Sequence, residues 1–263
     1  MQDIAVCIQN ENKEVNIVQT INAIAKSGYK KVFAQWYDDD SWEFDQDSQI
    51  NLCKSLGLEI IFAHLGYQKI NSIWLPGEEG DRQVERYKKD FLDCKERGIS
   101  LVVMHLTSGS NAEKYNELGL KRIKELAEFA KSLDMRIAFE NTKIKGYLEY
   151  VFENLDYDNL GICFDIGHYH VHFKDDFPFE LFKNKIWAVH LHDNDQTDDL
   201  HQLPFDGTLE WKDTIKKLKD ANYNGPITLE LCYRYQYLNM PVEDFYKEGY
   251  KRGERVREIF ESV

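Results

Sequence analysis

The chain has 263 residues, 43% hydrophobic and 30% charged, and its 33 Lys and Arg against 46 Asp and Glu leave a formal net charge of -13. That length suits a (β/α)₈ barrel, about 250 residues in one domain, and the negative balance disfavours nucleic acid and anionic lipid, which need Lys and Arg to displace counterions or meet headgroups. No stretch approaches the roughly 18 apolar residues of a membrane span, and the N-terminus MQDIAVCIQNENKE has no basic region followed by an apolar run, so the expectation is a cytoplasmic protein with no membrane partner.

In chain order, short apolar, β-branched runs that end in polar residues occur at Asp3–Gln9, Lys31–Trp36, Leu58–His64, Ser100–His105, Arg136–Glu140, Leu160–Asp165, Ile186–His192 and Pro226–Leu231. Continuous rather than alternating apolar runs predict parallel strands buried on both faces. Between them, Glu14–Ser27, Asp81–Arg97, Leu120–Ser132 and Glu210–Ala221 carry apolar residues at helical spacing, with Ile123, Leu126, Ala127 and Ala130 as one buried stripe. Gly28, Gly57 and Gly98 fall where a helix ends before the next strand. Strand starts recur roughly every 30 residues, the advance of one βαβ unit. An open doubly wound sheet would show the same alternation, but eight regular units without a long linker favour closure. The predicted fold is α/β, a single (β/α)₈ TIM barrel over residues 1–263. Cys7, Cys53, Cys94, Cys163 and Cys232 sit in apolar runs with no C-x-x-C spacing, and read as reduced, buried thiols.

Chemistry in such a barrel belongs at the C-terminal ends of the strands. His64, His105, His190 and His192 fall there, His168 and His201 lie in the loops that follow, and Glu140, Asp165 and Glu230 end otherwise apolar runs. A lone strand-end His is ordinarily a hydrogen-bonded rim residue, and a lone Glu there can cap a helix. Three carboxylates and a histidine converge from the last four predicted strands, and the like-charged carboxylates repel one another unless a cation lies between them. Mixed oxygen and imidazole ligands suit Mn²⁺, Zn²⁺, Co²⁺, Fe²⁺ or Mg²⁺, and no organic cofactor is expected.

The segments FENT (139–142), CFDIGH (163–168), VHLHDND (189–195), DLH (199–201) and TLEL (228–231) resemble those of the xylose isomerase-like TIM barrels. That group includes sugar isomerases and epimerases, inosose dehydratases and apurinic endonucleases of the endonuclease IV type. The resemblance implies that a shared divalent metal is held by Glu140, Asp165, His190 and Glu230, with the two glutamates as the acid/base pair of the isomerase branch. It also implies that His64, His105, His168, Asp199 and His201 match the further ligands of endonuclease IV-like members, or contact substrate in a one-metal enzyme. His192 is then a substrate contact or a support for the ligands. One departure follows His201: this chain reads PFDGTLEW, with Phe205 at the place of the family's first turn glycine, although Glu210 and Trp211 match.

An abasic-site nuclease needs basic and wedge residues at the rim. Here the loop after the second strand reads WYDDDSWEFDQDS, with Asp38, Asp39, Asp40, Glu43, Asp45 and Asp47, and the loop after the seventh adds Asp193, Asp195, Asp198 and Asp206. Trp36, Trp42, Tyr67, Trp74, Tyr147, Tyr233 and Tyr235 are candidate sugar-facing aromatics, about half of which should simply pack. The reading is a metal-dependent isomerase or epimerase of a ketose or related polyol, working by proton transfer through a metal-stabilised enediolate. His168, His192, Trp36 and Tyr67 are its substrate contacts, and the sparse rim cations Lys69, Lys143, Lys145 and Arg234 allow a phosphorylated sugar without favouring one. The alternatives are a multi-metal phosphoester hydrolase, an inosose-type dehydratase and, outside enzymes, a sugar-binding degenerate barrel. Five aromatics between Tyr233 and Tyr246 suit either a site wall or a homo-oligomer interface.

Overall fold

The computed structural model describes residues 2–9, 15–36, 45–174 and 176–263. Strands form at Ile4–Ile8 (β1), Lys31–Trp36 (β2), Glu59–Leu65 (β3), Leu101–Met104 (β4), Arg136–Glu140 (β5), Leu160–Asp165 (β6), Ile186–His190 (β7) and Ile227–Leu229 (β8). They pair in parallel in the order β7-β6-β5-β4-β3-β2-β1-β8. The remaining seam, between β7 and β8, is closed just beyond the strand ends: Leu191 N donates to Thr228 O at 2.9 Å, and Glu230 N donates to Leu191 O at 3.1 Å. The result is the expected TIM barrel, and the seam places His190 and His192 directly beside Glu230.

Around it lie Ile17–Lys26 (α1), Gln46–Ser55 (α2), Glu78–Glu96 (α3), Glu117–Ser132 (α4), Tyr147–Asn154 (α5), the short Ile166–His168 (α6) running into a π-helical turn at Tyr169–Phe173, Trp211–Asp220 (α7) and Val242–Ser262 (α8). The four helices foreseen by periodicity are α1, α3, α4 and α7. Asn16 starts α1 with a reciprocal cap, its side chain accepting from Gln19 N while Gln19 returns a bond to Asn16 N. Helices α2, α5, α6 and α8 went unmarked in the sequence. Of the aromatics expected at a site wall or interface, Tyr233, Tyr237, Phe245 and Tyr246 pack into the core beneath and within α8, and Tyr235 alone is exposed. All five cysteines are buried and none is in a disulfide. Among the described residues, no helix is long and apolar enough to cross a membrane.

Side chains alternate along each strand, which separates two cores. Val6, Val32, Ala63, Val102, Ile137, Ile162, Val189 and Leu229 face the helices. The barrel interior is filled by Cys7, Phe33, Phe62, Leu101, Val103, Ala138, Cys163 and Ala188. One alternation further along, the interior-facing positions are Gln9, Gln35, His64, His105, Glu140, Asp165 and His190, joined by Glu230 after β8. A packed apolar plug thus forms the floor, and a ring of polar residues lies on top of it.

Candidate metal centre

Glu140 stands at the middle of this ring, with 2% of its surface exposed. Its Oε2 lies 3.0 Å from His64 Nε2, 3.2 Å from His105 Nε2 and 3.3 Å from His190 Nδ1, while its Oε1 lies 3.2 Å from His168 Nδ1. From just beyond β8, Glu230 Oε2 approaches His190 Nδ1 to 3.4 Å and His201 Nδ1 to 3.6 Å. Asp199 Oδ2 joins His168 Nε2 at 3.3 Å to His201 Nε2 at 2.9 Å. Asp165 Oδ2 lies 3.3 Å from His192 Nε2 and 3.8 Å from His190 Nδ1. All nine residues matched through the resemblance therefore meet in one cluster, together with His192.

The arrangement fits divalent cations on two observations. Ligand atoms about 2.1 Å from a tetrahedral ion are about 3.4 Å apart, whereas N–H···O bonds run 2.7–3.2 Å; most separations above exceed the second range and match the first. Ligand atoms also come together in overlapping groups, each within 4.8 Å: His64, Glu140 and His190; Glu140, Asp165 and His168; Asp165, His190 and Glu230; and His192, His201 and Glu230. Without an ion, protons balance the carboxylates. Burial opposes charge on His168, His190 and His201, yet Asp165 and Asp199 beside His168, Cys163, Glu230 and Glu140 beside His190, and Asp199 and Cys232 beside His201 outweigh it and hold all three well above the ordinary imidazole value. Burial likewise opposes ionisation of Glu140 and Asp199, and the rings beside them still hold both well below the usual carboxylate range. For His105 burial prevails over Glu140, so its ring is pushed down and stays neutral.

Supporting residues include several that sequence left without a role. Asn141, in the FENT segment, clamps the end of β6: its Nδ2 donates to Asp165 O at 2.9 Å, and its Oδ1 accepts from Asp165 N at 2.7 Å. Gln35 Nε2 reaches Glu230 Oε1 at 3.4 Å. The signal for Gln35 was present in the alternation, two residues beyond Phe33 of the barrel interior. Asp193, read as rim charge, is fully buried and accepts from Asn194 N, Phe205 N, Leu209 N and Trp211 Nε1. Phe205 keeps the left-handed turn that glycine would favour, with φ of 73°. Its ring packs on Trp211 and under Arg255, and the backbone cost is of order 1–2 kcal/mol.

Other expected contacts are placed differently. Tyr67 belongs to the site: it is half-buried and stacks on His105 at 4.4 Å and 4°. Burial, Glu230 and Glu140 push its hydroxyl up, so it remains a donor. Trp36 is not brought to the cluster; it faces the outer core, beneath Arg97. Trp74 and Tyr147 pack against each other in that core too. Trp42, Asp38, Asp39, Asp40 and Glu43 lie outside the described residues. Asp45 instead caps α2 through Ser48 N, Asp47 pairs with Arg97, and Asp206 holds Arg252 and Tyr237, so part of the expected rim charge serves the fold.

Among curated proteins, the chain is 33% identical over 119 residues to the uncharacterized protein MJ1311 of Methanocaldococcus jannaschii, covering 41% of each. It is 29% identical over 164 residues to a probable endonuclease 4 of Citrifermentans bemidjiense, covering 52% of this chain and 56% of that one. The chain thus spans about half the length of these relatives or less. Among solved structures, D-psicose 3-epimerase with D-tagatose from Clostridium cellulolyticum H10 superimposes with a TM-score of 0.76 at 15% identity, covering 99% of both chains, a likeness of fold. A family profile described as xylose isomerase-like TIM barrel matches residues 21–256. With that match over most of its length, and the barrel it describes, the chain belongs to the xylose isomerase-like TIM barrel family.

Proposed function

We propose that the protein is a metal-dependent isomerase or epimerase of a ketose or related polyol. The observation that carries this reading is the placement of Glu140 and Glu230, two buried carboxylates that approach His190 Nδ1 at 3.3 and 3.4 Å, one from the end of β5 and the other from just beyond β8. A substrate between them presents its carbonyl-adjacent carbon to one glutamate on each face. A divalent ion, when bound, supplies Lewis-acid polarisation of the carbonyl. One glutamate removes the proton from the adjacent carbon and the other delivers a proton to the resulting enediolate. Gln35 orients Glu230, and the Tyr67 ring on His105 offers a flat face to the C–H side of a sugar. The fold shared along the whole chain with an epimerase that was solved with D-tagatose supports a sugar of that kind.

A second reading, metal-assisted phosphoester hydrolysis, is favoured by the four imidazoles around Glu140, which leave both its oxygens flanked, and by the partial likeness to a probable endonuclease 4. One experiment separates the two. Metal-loaded protein is incubated in D₂O with a ketose panel and, in parallel, with sugar phosphates and phosphodiesters, and products are read by mass spectrometry. Deuterium gained at carbon by at least one ketose is the expected result, and a product lighter by one water would identify a dehydratase. Phosphoester cleavage with no deuterium in any sugar would overturn the isomerase reading.

A further inference from the structure

His192 lies outside the nine ligand positions that the family resemblance supplies, yet it is fully buried in the middle of the cluster. Its Nε2 faces two carboxylate oxygens, Asp165 Oδ2 at 3.3 Å and Asp199 Oδ1 at 3.5 Å. The other oxygen of each carboxylate is already engaged: Asp165 Oδ1 accepts from His168 N at 2.6 Å, and Asp199 Oδ2 meets His168 and His201. Asp199 Oδ1 is buried with no hydrogen-bond partner. Asp165, His192 and Asp199 each offer a ligand atom within 4.8 Å of the others, and the two separations from His192 Nε2, 3.3 and 3.5 Å, are near the roughly 3.4 Å expected for ligands of one ion.

The ring is held there by shape. It stacks on His201 with centroids 4.1 Å apart and 14° between planes. Its other neighbour is Gly167, where a Cβ would lie 1.9 Å from His192 Cε1. Asn194 Nδ2 fixes this approach by donating to Gly167 O at 3.1 Å. Only glycine at 167 leaves room for His192 at its position.

We propose that Asp165, His192 and Asp199 hold a divalent cation at a position of its own, beside the one faced by His190 and Glu230. Two carboxylates and one imidazole suit Zn²⁺, Mn²⁺, Co²⁺ or Fe²⁺, and a divalent charge offsets both acids. The inference rests on the reading of this rim as a metal centre.

The test uses the full chain, stripped with chelator and titrated with Co²⁺, with visible absorption and elemental analysis of the desalted protein as readouts. The parent is compared with His192→Gln and with Gly167→Ala, which retains every ligand side chain but displaces the ring. Each variant is expected to hold one ion per chain fewer, or to bind at that step at least about 10-fold more weakly, while the remaining ions bind as in the parent and report an intact fold. Equal ion counts and equal Co²⁺ spectra in the parent and both variants would overturn the proposal alone. A parent chain that takes up no Co²⁺ would overturn it together with the metal-dependent function.

Discussion

In the cluster, His168, His190 and His201 carry the charge in the absence of an ion, and this gives a pH dependence whose direction follows from the shifts. His168, His190 and His201 are held above the ordinary imidazole value of 6.5 by the carboxylates beside them, together with Cys163 at His190 and Cys232 at His201. The stability that these charged rings contribute is fully present below the unfolded value and is lost as pH rises through the raised folded values. Chelator-treated protein should therefore melt at progressively lower temperature as pH is raised from about 6.5. Metal-loaded protein should not, because entering ions displace those protons and bind more tightly as pH rises. Calorimetry across that window with and without chelator checks this; a melting temperature that rises with pH in the chelated sample would contradict the assignment.

At the scale of the element, the connection from β7 to α7 carries Asp199 and His201 and is organised by Asp193. Its two oxygens receive backbone donors from Asn194, Phe205 and Leu209 and the indole of Trp211. Gly207 is needed beside it, since a Cβ there would lie 2.3 Å from Asp193 Oδ1. In Asp193→Asn, an amide NH₂ would face donors in place of an acceptor. The expected loss is about 2–4 kcal/mol, from weakened charge-assisted bonds plus stranded buried donors, read as a lower urea midpoint with an unchanged slope. A midpoint within error of the parent would show the loop to be held by something else. This role was not legible in the chain. The H-L-x-D pattern marked the residue, but its partners lie up to 18 residues downstream, and only the folded turn brings them to one carboxyl group. The strands were legible because apolar runs and helix-ending glycines are local signals. Helix α2 was not, because its amphipathic pattern is weak and only Gln49, Ile50 and Cys53 are buried.

For the whole molecule, the net charge of -13 bears on the choice of substrate even though several rim acids prove structural. Binding duplex DNA releases counterions only where Lys and Arg meet phosphates, and the close partners of Glu140, Asp199 and Glu230 are histidines. Fluorescence anisotropy with an abasic-site duplex should show no binding at low micromolar protein in about 0.15 M salt; saturable binding there would return the nuclease reading to first place. The sequence by itself determined the number and order of the βα units, because burial on both faces writes each parallel strand as a continuous apolar run. It also determined the ligand-competent residue types at the strand ends, since side-chain alternation carries the interior face directly from the apolar plug to the polar ring. Only the tertiary structure decided which of those residues share space. Closing the seam between β7 and β8 sets Glu230 against His190 and leaves Trp36 on the outer face. The Gly167 gap, which no local pattern reveals, admits His192 to Asp165 and Asp199.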